Sequence, residues 1–340
     1  MSGVSSTTAL CKVGKQAAKG TPINTGLICG MLRQSGFNVD FDELDDQPEH
    51  GCRTVSVDRA TAHKTATDRA GYVVRGNLRG YLYPRMIGMM LVGAGFKPTT
   101  TTPEAGVYQH VFKIAERADY KWLTVLSKIG SRMRRASDAR IASLAIEASA
   151  RGLNWNAALL AIAEGTAPGS ETGTDEALTK ILPSTGSLTI MDGATEIVNT
   201  ATDSLLGLTL NINNPLDDAD QGLFTFRRAD LQQQGMDITG AVTGLELDYA
   251  TYYDLLVYNG GSSPAASVAQ LDIEYTWESA VEFVTGVPYS LAVELPGAEV
   301  TLGDFLAEGN NVVRWDFNYR MVDDTTDPIT ITLINDVATY

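Results

Sequence analysis

The residues best suited to chemistry are three histidines, three cysteines, an acidic run and an arginine cluster. His50, His63 and His110 all fall in the first third of the chain, and none belongs to an H-E-x-x-H zinc pattern. Cys11, Cys29 and Cys52 are an odd number without metal-binding spacing. They read as reduced thiols of a protein made in the cytoplasm. There is no nucleophile elbow and no glycine-rich phosphate loop ending in Lys-Ser or Lys-Thr. The glycines from Gly88 to Gly95 lie inside and after a helical pattern, so they do not make a dinucleotide fingerprint. The run Asp217-Asp218-Ala219-Asp220-Gln221-Gly222 approaches a calcium loop, but its glycine comes one place early and no glutamate closes it. A solvated turn is the better reading. Arg132, Arg134, Arg135 and Arg140 suggest nucleic acid, yet the aromatic interleaving is sparse and the chain is acidic overall. The expectation is therefore no enzyme, no cofactor and no metal.

Composition agrees with a folded, non-membrane chain. The 340 residues suffice for two domains, and 44% apolar content supports real cores. No apolar run reaches the length of a membrane-spanning helix, and the first residues lack the apolar stretch of a secretory signal. The net charge of −15 is divided unevenly. Residues 1–184 hold 22 Lys and Arg against 17 Asp and Glu, a net of +5; residues 185–340 hold 4 against 24, a net of −20. Such an asymmetry bears on partners rather than on fold, and it suits one half of the chain meeting the other half of a neighbouring copy.

One stretch organises the elements. Val73–Gly95 has glycines four apart, Gly76 and Gly80, then an apolar run leading through Pro84 into a short helix. Ile238–Gly260 repeats the plan with Gly240 and Gly244. Each is preceded by an alternating strand and an acidic loop: Phe37–Phe41 with Asp42–Asp46, and Leu208–Asn213 with Asp217–Asp220. Ile141–Ala148 and Leu153–Ala161 read as a strand pair around Arg151-Gly152; its expected counterpart is Val312–Met321 with Ile329–Ile334.

Elsewhere, Thr99–Pro103 reads as a loop, Val107–Ile114 as a strand, and Arg132–Arg140 as a polar, loop-like stretch. Helices are expected at Pro84–Val92, Ala250–Tyr258 and Tyr120–Ile129. Gly165–Gly186 lacks periodicity and reads as a linker. The pattern predicts a mainly β chain of two tandem barrels or sandwiches, each with a short flanking helix. The divisions are an extended arm at 1–26, a first β domain at 27–165, a linker at 166–185 and a second β domain at 186–340. Exposed strand edges in such units invite pairing with another copy.

In order along the chain, GKQAAKGTPIN, RGNLRGYLYPRMIGMMLVGAGF, RIASLAIEASARGLNW, ITGAVTG, SLAVELPGAEV and TITLIND resemble segments of the tail tube (major tail) proteins of long-tailed, non-contractile bacteriophages, in their two-domain form. The likeness runs from about Lys12 to Asp336, with Lys113–Arg140 fitting least well. It implies subunits joined edge to edge into rings, three two-domain chains in pseudo-hexameric order or six subunits. The rings stack into a virion tail tube, assembled in the host cytoplasm with tape measure, tip and terminator proteins. Viral DNA would pass through a channel with surplus Asp and Glu, without specific binding or a membrane.

Candidate contacts between copies are the positive Lys12, Lys15, Arg132, Arg134 and Arg135 and the acidic Asp217, Asp218, Asp220, Asp323 and Asp324. A tail terminator, a surface-lattice subunit, or a carbohydrate-active β enzyme with paired carboxylates are the alternatives.

Overall fold

The computed structural model describes all residues except 1–9, 30–34, 46–66, 130–131, 167–172, 176–178, 200–204, 218–229, 246–253, 260, 307–313 and 323–326. The chain begins with β1 (Leu10–Lys15), β2 (Leu27–Cys29), β3 (Gly36–Asp45) and β4 (Thr67–Tyr81), followed by α1 (Pro84–Gly93). Next come β5 (Phe96–Glu104), β6 (Val107–Ile114), β7 (Leu123–Ile129), β8 (Arg132–Ser149), β9 (Gly152–Thr166) and β10 (Gly173–Asp175). The rest is β11 (Ser187–Asp192), β12 (Thr195–Asn199), β13 (Gly207–Asn213), β14 (Leu216–Asp217), β15 (Gln232–Gln233), β16 (Asp237–Leu245), β17 (Ala269–Val284), β18 (Val287–Leu306), β19 (Arg314–Arg320) and β20 (Thr330–Asn335). The protein is mainly β, as its alternating sequence requires.

α1 starts at Pro84, whose missing N–H costs nothing at a first helical position. Nine of its ten residues are buried, so this helix is apolar all round and sits inside the protein. Each fully buried Leu, Ile or Met there contributes about 1.5–3 kcal/mol. It packs against β1, β2, β5, β8, β18 and β20, elements drawn from both ends of the chain. One continuous apolar core runs from Val13 to Leu333.

The long strands β8 and β18 each branch. β8 pairs with β9 along its whole length; on its other side its first part pairs with β7 and its second part with β13. β18 pairs with β17 on one side, and with β20 and then β19 on the other. Around these branches a pattern of pairing recurs. In the order β3–β4–β9–β8, Phe37 faces Gly76, Gly76 faces Leu159 and Leu159 faces Ile141. In the order β13–β16–β19–β18, Leu210 faces Gly240, Gly240 faces Tyr319 and Tyr319 faces Val300. Gly76 and Gly240 thus hold one station. A methyl on Gly76 would meet the Gly36 carbonyl at 2.6 Å, and one on Gly240 would strike the Thr209 carbonyl. Gly36 and Thr209 directly precede Phe37 and Leu210, so both glycines are required by the same close strand approach.

Several expectations need correction. Leu123–Ile129 is a strand, not a helix: an apolar run of seven is too short to declare its period, and pairing with β1 and β8 decides it. Arg132–Arg140 is the first part of β8, because its backbone is paired on both sides. Thr99–Pro103 lies within β5, a strand that among the described residues pairs with β6 alone, where proline is tolerated. Asp42–Asp45 continues β3 rather than forming a loop. β19 and β20 do not pair with each other; both follow β18, and together they stand where β9 stands beside β8. In the expected helix 250–258, a helical turn is described at 254–256 and residues 250–253 lie outside the described residues.

Candidate functional site

The sequence offered no catalytic constellation, and among the described residues no three His, Cys, Asp or Glu side chains converge as metal ligands would. Cys11 is fully buried; burial, then the nearby Cys29, pushes its thiol up to about 12. His110 is buried in a neutral network. Its Nε2 lies 2.8 Å from the Val337 carbonyl and its Nδ1 lies 2.8 Å from the Thr100 hydroxyl. The carbonyl can only accept, so Nε2 carries the proton and Nδ1 accepts from Thr100.

The conspicuous surface is instead a polar sheet face. β4, β9, β8, β13, β16, β19 and β18 are successive neighbours, so two rungs can be followed across seven strands. One reads Arg79, Asn156, Ala145, Asn211, Thr239, Arg320, Glu299. The next reads Tyr81, Asn154, Glu147, Thr209, Ala241, Asn318, Thr301. Between them, on the opposite face, lie Trp155, Ile146, Leu210, Tyr319 and Val300, all buried. Period-two alternation thus gives one face to the core and the other to short amides, hydroxyls and methyls. The two rungs carry Arg79 and Arg320 against Glu147 and Glu299, so their charges balance. Next to these rungs, Asp237 accepts a 3.1 Å ion pair from Arg320.

The two halves of the chain meet within this face. β8 and β13 pair over seven residues, Ser149 with Gly207 through Ser143 with Asn213. A second joint pairs β6 with β20 over five residues. Side chains reinforce the first. Arg140 is buried; its guanidinium carbon lies 4.0 Å from the Trp122 ring centre and its NH1 donates to the Leu231 carbonyl at 2.9 Å. Lys19 also approaches Trp122, at 4.9 Å, and forms a 2.9 Å ion pair with Asp230. Burial raises the Asp230 carboxyl, but the Lys19 hydrogen bond and charge outweigh it and hold the group below its ordinary value. Burial also lowers the Arg140 guanidinium, against the opposing field of Asp230.

The candidate contact residues are dispersed. Arg134 makes a 2.6 Å ion pair with Glu164 on β9 and lies over the Phe37 ring. Arg135, adjacent on the strand and so on the opposite face, donates to Asn24 at 3.3 Å. Arg132 begins β8, opposite Ile129. Asp217 pairs with Gln232 in the β14–β15 ladder; Asp218, Asp220, Asp323 and Asp324 lie outside the described residues. Lys12 and Lys15 are in β1, opposite Leu126 and Leu123 of β7, and Val13 between them is fully buried. Residues 10–15 of the expected arm are therefore a strand, and residues 1–9 lie outside the described residues. Burial, then the charge of Lys121, lowers the Lys15 ammonium. Of the expected linker, Gly173–Asp175 pairs in parallel with β2, and Ile181 bridges to Ser279.

A family model described as phage tail tube protein matches residues 9–321. The chain belongs to the phage tail tube protein family. It is a structural protein of the phage tail, whose family implies assembly with itself and with other tail proteins. No curated protein matches the chain. For a tail tube protein the relevant sites are faces and edges; Trp122, Asp230 and Leu231 escaped the sequence reading, and Arg140 entered it only as one of the arginine cluster. A signal for the polar face was present in the alternation of Asn154, Asn156 and Ala158 and of Asp316, Asn318 and Arg320.

Proposed function

We propose that this chain self-assembles into rings of three subunits, which stack into the tube of a long-tailed, non-contractile phage, assembled in the host cytoplasm. In this reading residues 27–165 and 186–340 are two units filling successive places, so that three chains give six units. The seven-strand polar face lines the channel through which the genome passes. That face carries the reading: it continues across the β8–β13 joint without a break, and a head-to-tail joint repeated at a fixed rotation closes into a ring.

The chemistry of the face suits passage. DNA is densely negative, so a lining with unpaired cations would hold it. Here the two rungs hold as many acidic as basic side chains, Arg320 is paired with Asp237, and most side chains are short amides, hydroxyls or methyls that offer no deep pocket to a base.

Negative-stain microscopy of the purified protein provides the test, with cysteine labelling of the same sample. Tubes with six-fold features in cross-section are expected. Asn211→Cys should react in tubes with a small maleimide but not with a maleimide on a bulky polymer, while both should react with unassembled protein. Single rings only would favour a tail terminator. Tubes whose Asn211→Cys takes the bulky reagent freely would remove this face from the channel.

A further inference from the structure

The joint inside the chain has an unfilled counterpart, and the pairing register specifies it to the residue. Trp155 of β9 faces Ile146 of β8, and Trp315 of β19 faces Phe305 of β18. Ala157 faces Leu144, and Phe317 faces Leu302; Ala158 faces Ser143, and Asn318 faces Thr301. Even the irregularities agree in kind. The first joint's strand has a bulge between Ile141 and Ser143, and the second has one between Leu302 and Phe305. Ser143, Leu144, Ile146 and Glu147 therefore correspond to Thr301, Leu302, Phe305 and Leu306.

In β8 these residues carry the joint. Ser143 faces Asn213, Leu144 faces Ile212, Ile146 faces Leu210 and Glu147 faces Thr209. In β18 the same side is open. β17 ends its pairing at Val300 opposite Ala269, and among the described residues nothing pairs with 301–306 on that side. Next to that gap, Val268 is 45% exposed. The incoming strand also has a counterpart. β3 corresponds to β13, because Phe37 faces Gly76 as Leu210 faces Gly240. β13 is paired on both sides, whereas among the described residues β3 pairs with β4 alone.

We propose that residues 301–306 of β18 take up β3 of a second copy of this chain, antiparallel, with Thr301 opposite Asp40, Leu302 opposite Val39, Phe305 opposite Phe37 and Leu306 opposite Gly36. The proposal rests on the ring reading above and names its closing contact. Its chemistry is self-consistent. The register sets Leu302 beside Val39 and Phe305 beside Phe37, one aliphatic and one aromatic cross-strand pair. Thr301 and Asp40 fall on the polar face, as Ser143 and Asn213 do. An edge offered on β18 and an edge offered on β3 cannot satisfy each other within one chain if β8–β13 already joins its two units. They satisfy the next copy, and each copy then closes one open pair of edges.

The test uses Leu302→Cys with Val39→Cys in the full-length chain. Mild oxidation of assembled protein should give disulfide-linked dimers and trimers, absent from either single variant. A pair out of register and on opposite faces, Thr301→Cys with Val39→Cys, should link far less. In parallel, hydrogen exchange of the unsubstituted protein before and after assembly should slow by roughly an order of magnitude or more at 36–40 and 302–306. Tubes that form without the cross-link and without this protection would overturn the joint while leaving the tube reading intact. Preferential linking of the out-of-register pair would overturn the register. Failure of the unsubstituted chain to polymerise would overturn both.

Discussion

The ring of Tyr340 rests on Gly88 in the middle of α1, so closely that a methyl at that glycine would fall inside contact distance of three ring carbons. The phenol oxygen accepts from Asn335 Nδ2 at 2.6 Å and donates toward the Arg85 carbonyl at 3.0 Å. Asn335 also donates to the Pro84 carbonyl. The first turn of the helix is therefore held by residues some 250 positions away. Gly88→Ala should destabilise by about 1–3 kcal/mol through overpacking. Tyr340→Phe keeps the ring and loses only polar contacts, and should cost about 1 kcal/mol. Urea denaturation followed by tryptophan fluorescence would separate them; equal losses would mean that the ring, not the methyl clash, is misassigned.

Beside this contact, His110 should make stability depend on pH in one direction. Burial lowers its pKa below the ordinary 6.5, against hydrogen bonds to Val337 and Asn335 that act to raise it. The unfolded chain therefore binds the proton first as pH falls. The contribution is complete above the unfolded value and is lost progressively as pH drops from about 6.5 through the lower folded value. The urea midpoint should decline between pH 7 and pH 5, and His110→Gln should flatten that decline while lowering the midpoint at pH 7. Asp336, which follows Asn335, is held below its ordinary value first by its hydrogen bond from Arg85, so its own loss falls at more acid pH. An unchanged slope in His110→Gln would exclude the histidine as its source.

Arg140 is a side chain through which the two halves of the chain grip each other. Arg140→Ala removes a desolvated cation from the Trp122 face and leaves the Leu231 carbonyl without its donor. The two effects together should cost about 2–4 kcal/mol. Arg140→Lys keeps charge but not the planar stack, and should recover less than half of that loss. Thermal unfolding of the three proteins would read the order directly. Should lysine restore full stability, charge alone is what the site requires.

The contrast between what was legible in the sequence and what was not has a physical cause. Strands with one buried face, such as Leu208–Asn213, Leu153–Ala161 and Ile329–Ile334, alternate visibly because their environment does. α1 was visible because Pro84 marks its start and nine of its residues are buried. Gly76 and Gly240 were visible because close strand approach leaves no room for a Cβ at either. β8 was missed at Arg132–Arg140 because its strand character comes from two neighbours, while its side chains are arginines held by Glu164, Asn24, Tyr120 and Trp122. The joint of β8 with β13 and the Lys19–Asp230 pair depend on contacts 58 to 211 residues apart, which no local pattern encodes.

The arginine cluster provides the last prediction, and the structure divides it. From charge alone, reversing Arg132, Arg134 and Arg135 together should impair assembly and leave the subunit folded. Arg134, however, has two roles inside the chain: its 2.6 Å pair with Glu164 joins β8 to β9, and its guanidinium covers Phe37 on β3. The pair is only about one-quarter exposed, so Arg134→Glu would set two carboxylates together where water screens them poorly. It would also uncover the aromatic ring. A loss of about 2–4 kcal/mol in the isolated subunit is expected. Arg135→Glu loses one long hydrogen bond to Asn24 and should change stability by less than about 1 kcal/mol. If Arg135 serves a contact between copies, Arg135→Glu will reduce polymer yield in sedimentation while circular dichroism and the urea midpoint stay near those of the parent. If yield and midpoint are both unchanged, Arg135 has no part in assembly. If Arg134→Glu leaves the midpoint unchanged, the Glu164 pair does not hold the β8–β9 hairpin, and a triple reversal can again be read as a test of assembly alone.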